Sequence, residues 1–196
     1  MNMVQINSVG VDLSSREGVL YFAYAGDLDS GQISARCGAA PEFVAVARLR
    51  DYALSFYGHD ERWDGGEETI VRAPGAEVWG VVWRLGARAF DRLDAWRNVR
   101  LDGEGAYFHS PVDVVAFDGS PLSAMTYRKA NLGEVSPPSG PSLARIVAAG
   151  RGHGLPEAYL AALEAKPTVA ADGPVPREGR LDRFLASTEF GGSCAC

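Results

Sequence analysis

Residues 69–85, TIVRAPGAEVWGVVWRL, carry the reading that decides the fold. Residues 78–83 (VWGVVW) put apolar bulk on both faces, as in a strand covered on both sides. Ala73-Pro74-Gly75-Ala76 has the chemistry of a turn, so the stretch predicts two strands, 69–72 and 77–85, joined as a hairpin. Working outward, residues 19–24 (VLYFAY) form an aromatic-rich buried strand that ends in the tight turn Ala25-Gly26-Asp27. Residues 43–50 and 52–57 predict two more strands, and residues 107–117 and 122–127 a further pair around Asp118-Gly119-Ser120.

Helices fill the gaps. Asp29 or Ser30 can cap a short one running to about Arg36. Residues 87–96 set Ala89, Phe90, Leu93 and position 97 on one face. Residues 141–149 gather Leu143, Ile146 and Val147, with Gly150 as the stop. Pro156 opens the last helix, with Tyr159, Leu160 and Leu163 on its apolar face. The sum is about six strands with helices inserted among them, without the regular alternation of a doubly wound sheet. The expected fold class is therefore α+β, a mixed, curled sheet or small barrel closed by helices. Residues 1–18 read as a leader, 19–166 as the domain and 167–196 as a Pro- and Gly-rich tail with at most one short helix near 180–186.

Composition narrows the function classes. With 46% hydrophobic and 22% charged residues among 196, an ordered core is expected. A net charge of −6 and the lack of a dense basic cluster argue against nucleic acid as partner. No apolar run is long enough for a membrane helix, and the N-terminus lacks a secretory pattern, so the expected compartment is the cytoplasm. Of 19 basic residues only Lys129 and Lys166 are lysines, a bias that with abundant Ala and Gly reads as GC-rich, bacterial coding. Cys37, Cys194 and Cys196 make no disulfide framework, and the terminal C-x-C reads as a tail with reduced thiols. His59, His109 and His153 have no ligand-like spacing, so neither a metal nor an organic cofactor is expected.

Four segments in register resemble the γ-glutamylcyclotransferase (AIG2-like) family: YFAYAGDL at 21–28, Trp63-Asp64-Gly65-Gly66 with the strand at 69–85, Leu93-Asp94, and SPPSGPSLARIVAAGRGHGLPEAYLAAL at 136–163. The resemblance implies a mixed barrel with a pocket at one end. It also implies a reaction in which the α-amino group of a γ-glutamyl compound attacks its own γ-carbonyl, releasing 5-oxoproline and an amine. The tethered nucleophile meets much of the entropic demand. A carboxylate must move the proton, and backbone N–H groups of the loop after the first strand must hold the oxyanion. By the resemblance, Tyr24, Ala25, Gly26 and Leu28 of that loop, with Tyr107 and Tyr127, bind substrate.

The family pattern Leu-Asp-x-x-Glu-Gly implies an acid–base Glu where this chain has Arg97, and a guanidinium stays protonated. The family's Gly-Ser-Asn loop is here Ala25-Gly26-Asp27. Two readings follow. Asp27 and Arg97 pair across the pocket or both contact substrate, or Arg97 turns to solvent and Asp27 caps the next helix. Glu104, in Leu101-Asp102-Gly103-Glu104-Gly105, is either a displaced general base or part of a solvated loop. Tyr107 and Tyr127 are pocket or core; Trp79 and Trp83 read as packing, Ser136–Pro141 as a pocket rim or a rigid connection, and Asp64-Gly65-Gly66 as a turn.

The expected function is a divergent enzyme on a γ-glutamyl or related amino-acid amide. It would act by cyclisation or acyl transfer, with Asp27, Arg97 and Glu104 as catalytic candidates, in a setting such as specialised biosynthesis. The alternatives are different chemistry on an anionic substrate held by Arg97, or a binding protein of the same fold. The partner is a small molecule in each case, and oligomeric state is left open.

Overall fold

The computed structural model describes residues 18–100 and 102–177. Its elements are β1 (Val19–Ala23), α1 (Ser30–Cys37), β2 (Glu42–Asp60), β3 (Gly65–Leu85), α2 (Ala87–Trp96), β4 (Tyr107–Ala116), β5 (Pro121–Lys129), α3 (Gly140–Gly152) and α4 (Glu157–Glu164), with a single 3-10 turn at Gly26–Leu28. The strands close a barrel in the order β1-β3-β2-β4-β5. The long ladder runs antiparallel between β2 and β3, while β1 joins β5 in parallel through the pair Tyr21 and Met125. The buried core, on both faces of these strands, includes Tyr21, Phe22, Ile70, Val81, Val82 and Tyr127, all almost fully buried. No helix among the described residues is long and apolar enough to cross a membrane.

Two strand expectations fail for one reason. Residues 73–76 are not a hairpin, and β2 is not split after Arg50: both strands run unbroken past this point. The register jumps from Arg50 opposite Glu77 to Tyr52 opposite Arg72, so Ala73–Ala76 bulge out of a continuous strand. Asp51 takes a positive φ of 61°, and its Oδ1 accepts the Gly75 N–H at 2.9 Å, Gly75 itself having φ 80°. A proline is tolerated there because a bulge needs no ladder donor.

The true β2–β3 hairpin turns at Asp64, with φ 57° and its N–H on Asp60 O at 2.7 Å. Gly65 and Gly66, expected in the turn, instead start β3 against the 136–139 segment. A Cβ on Gly65 would lie 2.2 Å from Ser139 N, and one on Gly66 2.1 Å from Ser136 O.

The helices follow the apolar spacing more closely. Asp29 caps α1 by accepting the Gln32 N–H at 2.7 Å. Asn98, with φ 49°, ends α2 just after Arg97. Pro156 is the N-cap of α4 rather than its first residue. Gly150 does not stop α3, which continues to Gly152. It is a contact point instead, where a Cβ would lie 2.8 Å from a Leu160 methyl. The short helix expected near 180–186, and Cys194 and Cys196, lie outside the described residues.

Candidate active site

β1 delivers the chain into the turn at Gly26–Leu28, where each carbonyl is tied down from a different direction. Gly26 O accepts Gln32 Nε2 at 2.7 Å, Asp27 O accepts the Trp83 indole N–H at 3.0 Å, and Leu28 O meets His153 Nε2 at 2.8 Å. Trp83 thus does more than pack. The N–H groups of Gly26 and Asp27 donate to nothing among the described residues. The turn therefore fixes its acceptors and leaves two neighbouring donors unspent.

Four charges converge beneath it. Asp27 is 1% exposed, and its Oδ2 accepts Arg97 Nη2 at 2.6 Å and the Tyr21 hydroxyl at 2.7 Å, while Oδ1 pairs with Arg36 Nη1. Arg97, 8% exposed, also donates from Nη1 to Glu68 Oε1 at 3.1 Å and lies 5.0 Å above the Tyr107 ring. Arg36 donates its other nitrogen to Gln32 Oε1 at 2.9 Å and stacks on Trp96. Two anions and two cations make the cluster formally neutral, which is how buried charge is tolerated. Burial works to raise the Asp27 carboxyl, but Arg36, Arg97 and the Tyr21 hydroxyl outweigh it and hold it well below the usual carboxylate range. Burial also works to lower Arg97, and the facing Asp27 and Glu68 raise it further above its already high value.

The structure brings Asp27 and Arg97 together, and the capping role belongs to Asp29. Tyr24 donates to Tyr127 O at 2.7 Å, and Tyr107 to Glu68 O at 2.8 Å. Ala25 and Leu28 are buried under the turn. Tyr127 sits edge-on to Tyr21 and donates to Asp94 Oδ1 at 2.5 Å, an oxygen shared with His109 Nε2 at 2.7 Å. Glu104 is not brought to this cluster. It is exposed, in a turn where Asp102 Oδ1 accepts its backbone N–H and pairs with Arg100.

Glu68 is the residue that sequence reasoning missed. Its signal was strand alternation: Glu67 faces outward onto Lys129, whereas Glu68 shares the inward row with Ile70, opposite Phe56 of β2 as Ile70 is opposite Leu54. An acid in an apolar row marks a site. Arg36 was missed too: it lies on α1 nine residues after Asp27, and the way the turn leads into α1 brings the two together. Among the described residues no group of three or more His, Cys, Asp or Glu could hold a metal ion.

A small closed barrel with a donor-bearing turn over buried carboxylates defines a class of fold, and comparison with known proteins shows which one. Residues 77–163 match the AIG2-like family. The chain is 36% identical over 154 residues to the γ-glutamylcyclotransferases of Mus musculus and Homo sapiens, covering 76% of this chain and 79% of each relative. A solved γ-glutamyl cyclotransferase superposes with a TM-score of 0.74 at 30% identity, over 86% of this chain and 98% of that one. A human protein solved as uncharacterised superposes at 0.75 and 31%, over 87% and 99%. This chain belongs to the γ-glutamylcyclotransferase family.

Proposed function

We propose that the chain is an enzyme that opens a γ-glutamyl amide, or a closely related amino-acid amide, by intramolecular attack of the substrate's α-amino group. The observation that carries this reading is the turn at Gly26–Leu28. Its carbonyls are occupied by Gln32, Trp83 and His153, and among the described residues the Gly26 and Asp27 N–H groups stay free. Such a pair of fixed donors stabilises the oxyanion that forms when an amine adds to an amide carbonyl. Tyr24 and Tyr107, whose hydroxyls are spent on Tyr127 O and Glu68 O, wall the site rather than titrate in it.

In this reading Arg97 stands where the family pattern has its acid–base Glu, and Asp27 where the family has a neutral Asn. The two substitutions compensate each other in charge, and the ion pair at 2.6 Å supports treating them as one change. Asp27 then holds the turn and both guanidiniums in place. Incubation with a panel of γ-glutamyl amines tests the proposal: 5-oxoproline is released, and Asp27→Asn abolishes the release.

A second reading has a specific observation in its favour. The Nε of Arg97 is buried without a partner, as is that of Arg36, so the cluster keeps donors for a small anion. Under that reading no γ-glutamyl compound turns over, and small dicarboxylates raise the melting temperature of the wild type but not of Arg97→Ala.

A further inference from the structure

Amide opening by the substrate's own amine needs a group that accepts a proton from the α-ammonium and returns it to the departing nitrogen. The carboxylates around the turn are not equivalent. Asp27 has donors on both oxygens, three in all. Asp94 Oδ1 is shared by His109 and Tyr127. Asp60 accepts the Arg62 backbone N–H at 2.8 Å. In Glu68, Arg97 holds Oε1, Tyr107 holds the backbone carbonyl, and Oε2 has no partner among the described residues. It also lies directly against the donor turn, since a Cβ on Gly26 would be 3.5 Å from Glu68 Oε1. Asp94 and Asp60 also show no partner on Oδ2 among the described residues, so it is this contact with the oxyanion donors that sets Glu68 apart.

We infer that Glu68 is the proton carrier of this site, reaching in from β3, and that its Oε2 receives the α-ammonium of the substrate. The inference rests on the proposed reaction. Oε2 takes a proton from the α-ammonium, and the freed amine nitrogen bonds to the γ-carbon while the γ-oxygen becomes anionic over the Gly26 and Asp27 N–H groups. The protonated carboxyl then gives that proton to the leaving nitrogen as the carbon–nitrogen bond breaks. The second proton, left on the ring nitrogen by the attack, then passes through the emptied Oε2 to the departing amine, so the products are 5-oxoproline and an ammonium, with no water or redox partner consumed. Arg97 serves as a positioning residue, clamping Oε1 so that Oε2 points to the substrate.

The test pairs turnover with binding. Wild type, Glu68→Gln and Glu68→Asp are compared for 5-oxoproline release, and for the melting shift caused by glutamine against the same amide lacking its α-amino group. The expected result is a loss of about 10²–10⁴-fold in kcat for Glu68→Gln. Wild type should favour glutamine over the des-amino compound, and Glu68→Gln should lose that preference. Glu68→Asp keeps the charge opposite Arg97, so it should melt near wild type while its shorter reach still lowers kcat. Wild-type preference for glutamine without any turnover would refute the reaction and keep the ammonium contact. A Glu68→Gln protein that retains both turnover and preference overturns the inference. Wild type that neither turns over nor distinguishes the two ligands overturns both proposals.

Discussion

At the scale of single residues, Arg97 is the side chain on which the buried charges depend. Removing it leaves Asp27 with Arg36 and the Tyr21 hydroxyl and deprives Glu68 of its clamp. Arg97→Ala should therefore lower stability by about 3–5 kcal/mol, the range for breaking a buried pair from one side. Arg97→Lys should lie between, since an ammonium cannot serve two carboxylates in a planar fork. Denaturant midpoints of the three proteins check this order. The acid behaviour follows from Asp27. Its carboxyl titrates lower in the folded state than in the unfolded chain, so below the ordinary carboxylate range the unfolded state binds the extra proton. Its contribution is therefore complete at neutral pH and fades only as the pH falls from that range towards the depressed folded value. The stability gap between wild type and Asp27→Asn should stay constant down to about pH 5 and shrink below it, in urea titrations run across pH.

At the scale of elements, the position of α2 decides whether Arg97 reaches the site. Its last turn is latched from outside by Asp94, which takes His109 of β4 and Tyr127 of β5 on one oxygen, while His109 stacks on Phe90. Asp94→Ala should loosen that turn, seen as faster amide exchange at residues 95–98, whereas Asp94→Asn keeps an acceptor oxygen and should restore most of the protection. The start of β3 is held by a different constraint. Gly65→Ala pushes a methyl into Ser139 N and should destabilise by about 1–3 kcal/mol, as overpacking does. Gly75→Ala meets open space and carries only the strain of its positive φ, so it should fall below Gly65→Ala in thermal melts.

These elements also show what the letters can and cannot convey. The span of α2 and the cap of α1 are legible because their signals are local: a 3.6 period and an Asp three residues before an N–H. The bulge at 73–76 is not, because Pro-Gly looks the same in a hairpin and in a bulge; Asp51 across the ladder decides. The meeting of Asp27 and Arg97 can be inferred from charge balance, but Arg36 and Gln32 come in only through the way α1 leaves the turn.

At the scale of the whole molecule, the barrel closes unevenly. β2 and β3 share a long ladder, yet β1 and β5 meet at one parallel register pair, supported by Thr126 Oγ1 on Phe22 O at 2.7 Å. The turn bearing Asp27 follows directly from β1, whereas Glu68 belongs to β3 and Arg97 to the end of α2. The ionic cluster therefore works as a button, fastening three separately anchored pieces of chain. A ligand that competes for that guanidinium would also unfasten the wall around itself, so occupancy of the pocket and breathing of the barrel are one equilibrium seen from two sides.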